Sequence, residues 1–172
     1  GGLLVCLDVS APADVRLVSS LQLEVGAFPY ENPIAVYGDT LFVGTMRGVQ
    51  MVDVTRAAMP RRIGAPVLGR ARPIDVVADA RYAYVAYYVD DDRPGGIEVI
   101  DRGAAGGPRI VAGLELGSLT SGLALAGDLL AVVVGGNLAL LDVSEPTEPH
   151  QTTTLAIGSE DLERDGYVLD VV

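Results

Sequence analysis

The stretch "GNLALLDVSEPTEP" (136–149) decides the fold once it is set beside "GLLVCLDVSAP" (2–12). Each is a glycine, a short apolar run, an aspartate and a turn that carries proline. Two further segments keep that order: "GVQMVDVTRAAMP" (48–60) and "GIEVIDRGAAGGP" (96–108). Their anchor acids are Asp8, Asp53, Asp101 and Asp142, spaced by 45, 48 and 41 residues. A period of this length belongs to a repeated four-stranded unit.

The sequence between anchors repeats as well. A half-polar strand follows each turn: "VRLVSSLQL" (15–23), "RRIGAPVL" (61–68), "RIVAGLEL" (109–116) and "HQTTTLAI" (150–157). A loop then leads to an apolar strand closed by a tight acidic turn: "PIAVYGD" (33–39), "PIDVVAD" (73–79) and "GLALAGD" (122–128). The most hydrophobic strand comes next: "TLFVGT" (40–45), "YAYVAYYV" (82–89) and "LLAVVV" (129–134). Val, Ile, Leu and Tyr in short runs bounded by Gly, Pro and Asp are strand signals. No window carries a 3.6-residue stripe, so no long helix is expected; "SEDLERDG" (159–166) has room for one helical turn.

The expected fold is all-β: a β-propeller of four-stranded antiparallel blades, about four blades' worth, forming a partial ring. The strands of each blade are lettered a to d in chain order. The divisions are a partial blade at 1–27, blades at 28–68, 69–116 and 117–157, and the start of another at 158–172. One blade cannot bury both of its faces, so neighbours must stack. The chain opens and closes inside strands, which reads as a piece cut from something longer.

The segments "LLVCLDVSAP" and "LALLDVSEPTEP", with "YAYVA" on a preceding strand, resemble the LVIVD repeat. The resemblance covers essentially the whole chain and is weakest at "DRGAAGGP", which departs from the Asp-Val-Ser pattern. It implies a β-propeller and an extracytoplasmic location, extracellular or at the cell surface. It brings no catalytic motif.

Composition narrows the partners. Of 172 residues, 49% are apolar, yet no run approaches the roughly 20 that a membrane helix needs, so no transmembrane segment is expected. Twenty-three acids face twelve basic residues, all Arg, for a net charge of −11. Such a surface repels nucleic-acid phosphates and anionic lipid and favours cationic or neutral partners. Cys6 is the sole cysteine, which excludes an internal disulfide and a Cys-based zinc site. Its repeat-mates Met51, Val99 and Leu140 are core-type residues, so a buried filler is expected.

A propeller places its d–a and b–c loops on one face and its a–b and c–d turns on the other. The first face has the longer and more varied loops, and binding residues favour loops on a rigid scaffold. The candidate binding residues are Tyr30, Glu31, Arg70 and Arg72 in d–a loops, with Arg47, Asp90, Asp91, Asp92 and Arg93 in b–c loops. In "YYVDDDRPGG" (87–96) three adjacent carboxylates could hold Ca²⁺, the one cofactor the residues suggest. The alternation of an EF-hand loop is missing, and a solvated acidic loop ended by Pro94 and two turn glycines is the preferred reading.

The remaining polar residues read as structural. His150, the single histidine, falls where other units have Arg16, Arg61 and Arg109, at an exposed strand start; with no "GxSxG" there is no triad to build on it. Each anchor Asp recurs once per blade and is expected to accept N–H bonds in the turn after it. The same is expected of Asp39, Asp79 and Asp128. Tyr82, Tyr84, Tyr87 and Tyr88 are expected to pack between blades.

These readings favour a non-catalytic propeller scaffold for a protein or small ligand, packed against missing blades or a second copy. The alternatives are an enzyme or ligand-binding propeller with its site on the d–a and b–c loops, and a propeller stabilised by Ca²⁺.

Overall fold

The computed structural model describes residues 2–23, 32–67, 69, 72–89 and 94–157. These form strands only, in the order β1 (Leu3–Asp8), β2 (Arg16–Gln22), β3 (Ile34–Tyr37), β4 (Thr40–Thr45), β5 (Gly48–Asp53), β6 (Arg61–Val67), β7 (Arg72–Ala78), β8 (Tyr82–Tyr88), β9 (Gly96–Asp101), β10 (Arg109–Glu115), β11 (Thr120–Ala126), β12 (Leu129–Val134), β13 (Asn137–Asp142) and β14 (His150–Ala156). Each strand pairs antiparallel with its sequence neighbour inside a sheet. The sheets are β1–β2, β3 to β6, β7 to β10 and β11 to β14. The described strands are therefore three complete blades and the outer half of one more. The innermost strands approach one another, with β7 touching both β3 and β11.

The hairpins follow from their residues. Gly38-Asp39 joins β3 to β4 and Gly127-Asp128 joins β11 to β12 as two-residue loops. In each the glycine has positive φ (55° and 59°) and the aspartate does not, the arrangement of a type II′ turn. The corresponding turn before β8 has no glycine. There Asp79 Oδ1 accepts the N–H groups of Arg81 and Tyr82, both at 2.7 Å. The expectation of a capping carboxylate thus holds at Asp79. At Asp39 and Asp128 the acceptor is instead the main-chain carbonyl, bonded by Val54 N and Val143 N at 2.9 and 2.8 Å, because the glycine already makes the turn.

The anchor carboxylates act as expected. Oδ1 of Asp8, Asp53, Asp101 and Asp142 accepts the N–H of Ser10, Thr55, Gly103 and Ser144, at 2.9, 2.9, 3.0 and 2.8 Å. Every c–d turn then closes with one more main-chain bond: Asp14 N to Ala11 O, Met59 N to Arg56 O, Gly107 N to Ala104 O and Glu148 N to Glu145 O. Across the strand pair each anchor faces a basic residue, in the pairs Asp8–Arg16, Asp53–Arg61, Asp101–Arg109 and Asp142–His150. His150 sits at the exposed strand start foreseen for it, its Nε2 4.0 Å from Asp142 Oδ2.

The side-chain period of two divides strand c between its neighbours. The residue just before each anchor points to the preceding blade. Val52 joins Leu41, Val43 and Leu23; Ile100 joins Phe42, Val49 and Met51; Leu141 joins Tyr84, Ile97 and Val99. The next residue back points to the following blade, as Met51 and Val99 do. Tyr84 and Tyr87 are buried, and Tyr84 packs against Leu130 and Val132 of the next blade, as expected of the tyrosines.

Cys6 departs from expectation. It is half-buried, whereas its repeat-mates Met51 and Val99 are buried. The sheet it belongs to has two strands among the described residues, so less of the blade surrounds it. Leu140, in the last complete blade, is half-buried as well.

Candidate functional site

Hydrogen bonds sort the loops onto two faces. On one, Gly95 of the b–c connection donates to Ser118 O at 3.0 Å and accepts from Leu116 N at 3.0 Å, while Gly135 N donates to Leu119 O at 2.9 Å. Thr120 Oγ1, buried, donates to Tyr87 O at 2.6 Å. Each bond joins a b–c end to the segment 116–120, so among the described residues these stretches adjoin on one face. At the opposite face c–d turns bond to a–b turns, as Arg102 N does to Arg81 O at 3.0 Å.

Of the candidate binding residues, Arg47 lies exposed in the β4–β5 turn on the first face, its N–H directed to Thr45 Oγ1 at 3.4 Å. Arg72 is a correction. It is the first residue of β7, half-buried and paired with Tyr88, and not part of a loop. The strand begins one residue before Pro73 because Arg72 still completes the ladder to β8. Tyr30, Glu31, Arg70, Asp90, Asp91, Asp92 and Arg93 lie outside the described residues, and with them the candidate Ca²⁺ loop.

Two features of this region were not anticipated. Asp75 sits at a bulge of β7, where its Oδ1 accepts Val76 N and its Oδ2 reaches across to Leu123 N, each at 2.7 Å. The other two innermost strands carry alanine in its place, at Ala35 and Ala124. Among the described blades Asp75 has no counterpart. It stands on the wall of a cavity of about 450 Å³ lined by β3, β7 and β11, whose other lining residues are apolar. The second feature is a polar position inside strand c. Gln50 and Glu98, three residues before their anchors, are 0% and 4% exposed. Gln50 Nε2 donates to Met51 O at 2.9 Å and Gly64 O at 3.3 Å. The Glu98 carboxylate lies so close to Gly69 that a Cβ there would stand 2.4 Å from Oε2.

On the opposite face one cation bridges two blades. Arg102 takes the place that valine holds after the other anchors, at Val9, Val54 and Val143. Its guanidinium lies 5.6 Å from the ring of Tyr37 and 5.1 Å from that of Phe42, and it donates to Thr40 Oγ1 at 2.9 Å and to Asp79 O at 2.5 Å. Arg81 pairs with Asp101 at 3.2 Å beside it.

The anchor carboxyls all titrate below their ordinary range. The Ser10 N–H and hydroxyl lower Asp8, the Thr55 hydroxyl and N–H lower Asp53, and the Ser144 hydroxyl and N–H lower Asp142. At Asp101 the main cause is the hydrogen bond from Arg81. Burial, helped by Asp79, pushes the Tyr84 phenol up and keeps it neutral. Four recurring acids are thus held charged for their own turns.

Four-stranded antiparallel sheets stacked face to face around inner strands define a β-propeller, here with its ring open among the described residues. Residues 118–154 match the family model of the LVIVD repeat, a span that takes in most of the last complete blade. No curated protein matches the sequence. A functionally unknown protein from Desulfotomaculum acetoxidans DSM 771 has a similar structure, with a TM-score of 0.65 and 11% identity over 81% of this chain and 45% of that one. An S. cerevisiae assembly of Dbp5 bound to Nup159, Gle1, IP6 and ADP matches with a TM-score of 0.50 and 11% identity, over 91% of this chain and 37% of that one. At these identities the likeness is one of fold. The chain spans less than half of either.

Proposed function

We propose that the chain is a non-catalytic propeller scaffold that binds a protein or small ligand through its b–c and d–a loop face, within a longer extracytoplasmic protein. The supporting observation is the division of labour between the faces. The recurring carboxylates cap the turns of one face, while on the other, bonds such as Gly95 to Ser118 and Gly135 to Leu119 join neighbouring loop segments of adjacent blades. The net charge of −11 directs the search toward cationic or neutral partners and away from nucleic acid.

The test is cross-linking capture from the native host with the full-length protein, followed by quantitative binding of the captured partner. Arg47→Ala, and alanine at Asp90, Asp91, Asp92 and Arg93 together, are expected to weaken binding by at least about tenfold. Alanine at Glu145 and Glu148, on the opposite face, is expected to leave it unchanged. Turnover of a substrate that the loop variants abolish would overturn the scaffold reading. The cavity of about 450 Å³ beside Asp75 favours a second reading, a small cationic ligand on the ring axis. Binding lost in Asp75→Asn but kept in the loop variants would select it.

A further inference from the structure

The seam between the last two complete sheets, β7 to β10 and β11 to β14, is filled differently from its counterparts. The residue three places before each anchor lies on the side of strand c that faces the preceding blade. Gln50 and Glu98 hold that place in two blades, and each buries a long polar side chain there. The Glu98 carboxylate lies against Gly69, and its Cγ lies 3.8 Å from where a Cβ on Gly113 would stand. In the last complete blade the place belongs to Ala139, opposite Thr154 instead of a glycine. Gly117 follows Asp101 at the distance at which Gly69 follows Asp53, 16 residues. A Cβ on Gly117, however, would meet nothing within 4 Å. With alanine in place of the long side chain, the seam holds a cavity of about 270 Å³. Ser118, Asn137, Gln151 and Thr154 line it with hydroxyls and amides, and Leu116 and Val134 with aliphatic carbon. No described lining residue is charged.

The geometry points to this cavity as a binding site for a small neutral molecule that carries a carboxamide on a short aliphatic stem. The repeat's own side chains set the class. Gln50 and Glu98 each offer the equivalent place two methylenes and a planar polar end, and Gln50 uses that end to reach Met51 O and Gly64 O. The uncharged lining and the net charge of −11 select the amide over the carboxylate, because nothing in the lining would offset a buried negative charge. An amide needs a donor and an acceptor, and the lining supplies both. Gln151 Nε2 donates to Thr154 Oγ1 at 2.8 Å, which directs the Thr154 O–H and the Gln151 carbonyl to a guest. The volume falls below the roughly 300 Å³ at which sites for drug-sized ligands begin, so the guest has few heavy atoms. This deepens the loop-face reading and rests on it for what the site serves.

The experiment titrates the natural full-length protein with propionamide, the glutamine side chain as a free molecule, and reads binding by saturation-transfer NMR. Saturable binding is expected, with propionate held at least about tenfold more weakly. Ala139→Gln, which puts the repeat's own side chain into the cavity, is expected to abolish binding without lowering the melting temperature. Thr154→Val keeps the shape and removes the hydroxyl, and is expected to weaken binding at least about fivefold. No saturable binding, propionate held equally well, or affinity unchanged in both folded variants would overturn the proposal. Should Ala139→Gln fail to fold, an unchanged affinity in Thr154→Val suffices to overturn it. Free glutamine and a capped Gly-Gln-Gly peptide, as competitors, then distinguish a free amide from a partner's side chain; competition by neither would also overturn it. The readings fall separately. Partner binding that survives Ala139→Gln leaves the loop face standing when propionamide fails to bind. Propionamide binding that survives Arg47→Ala and the 90–93 variants leaves the cavity standing when the loops fail.

Discussion

At the scale of single residues, the anchor aspartates link acid stability to the repeat. Their folded pKa values lie below the ordinary value, so on acidification the unfolded chain takes up protons first. Their contribution is complete above the unfolded value near ~4 and is lost as the pH falls through the folded values. The melting temperature is therefore expected to hold between neutrality and about pH 5, then to drop below about pH 4. Asp142→Ala should lower the plateau and shrink the acid drop. A plateau persisting to pH 2 would contradict the role assigned to these carboxyls. The repeat glycine is a second single-residue device. Gly48 has φ 133°, and a Cβ on it would stand 1.9 Å from Val67 O. Gly48→Ala is expected to cost at least about 2 kcal/mol in chemical denaturation, against less than about 0.5 for Gly103→Ala, where the nearest atom would be 3.8 Å away.

At the scale of strands, the alternation along strand c predicts which truncations matter. Ile100 is sealed between two blades, so Ile100→Ala should cost about 2–5 kcal/mol. Leu7→Ala, made in the 172-residue chain alone, should cost less than about 1 kcal/mol because half of that side chain already meets water. Equal losses at the two positions would show that the first sheet packs differently from the others.

The strands were also the most legible part of the sequence. Gly, apolar run, Asp and turn recur, and each copy confirms the others. The capping of Ser10, Thr55, Gly103 and Ser144 could be read even where "DRG" replaces "DVS", because the donor is a main-chain N–H and any residue supplies it. What could not be read was contact between blades. Asp75 looks like one polar residue in an apolar strand, and only the bulge that presents Leu123 N explains it. Gln50 and Glu98 interrupt apolar runs without any pattern to mark them as buried. Arg72 read as loop because Pro73 follows it, yet proline at the second place of a strand leaves the first free to pair. On the candidate loop face, Arg47 could be placed from the sequence alone because it falls within a two-residue turn whose flanking strands are unmistakable.

At the scale of the whole molecule, charge and exposed apolar surface oppose each other. The 172-residue chain carries −11, and Leu3, Leu7, Leu17, Leu129 and Leu155 of its outer described sheets are exposed. Repulsion between copies holds these side chains apart at low ionic strength and is screened over roughly 8 Å at physiological salt. Light scattering of the isolated chain is expected to rise with added salt, the opposite of an assembly held by ion pairs; scattering that falls with salt would place the attraction in the charges.

Arg102 matters in a way that concerns how such a chain finds its own order. Near-identical units arranged in series are prone to exchange places while folding, since one unit can dock where its sibling belongs. Valine at the corresponding place suits any neighbour. Arginine suits the neighbour that offers Tyr37, Thr40 and Phe42, whereas against Leu129 and Ala131, the equivalent places of the last blade, it would strand a cation on an apolar sheet. The residue that breaks the repeat thereby works as an address, marking which sibling comes first. Arg102→Val would restore the repeat and erase that mark. Its expected signature is a lower refolding yield, with more swapped oligomer on size-exclusion chromatography, even where the variant's equilibrium stability stays close to that of the parent.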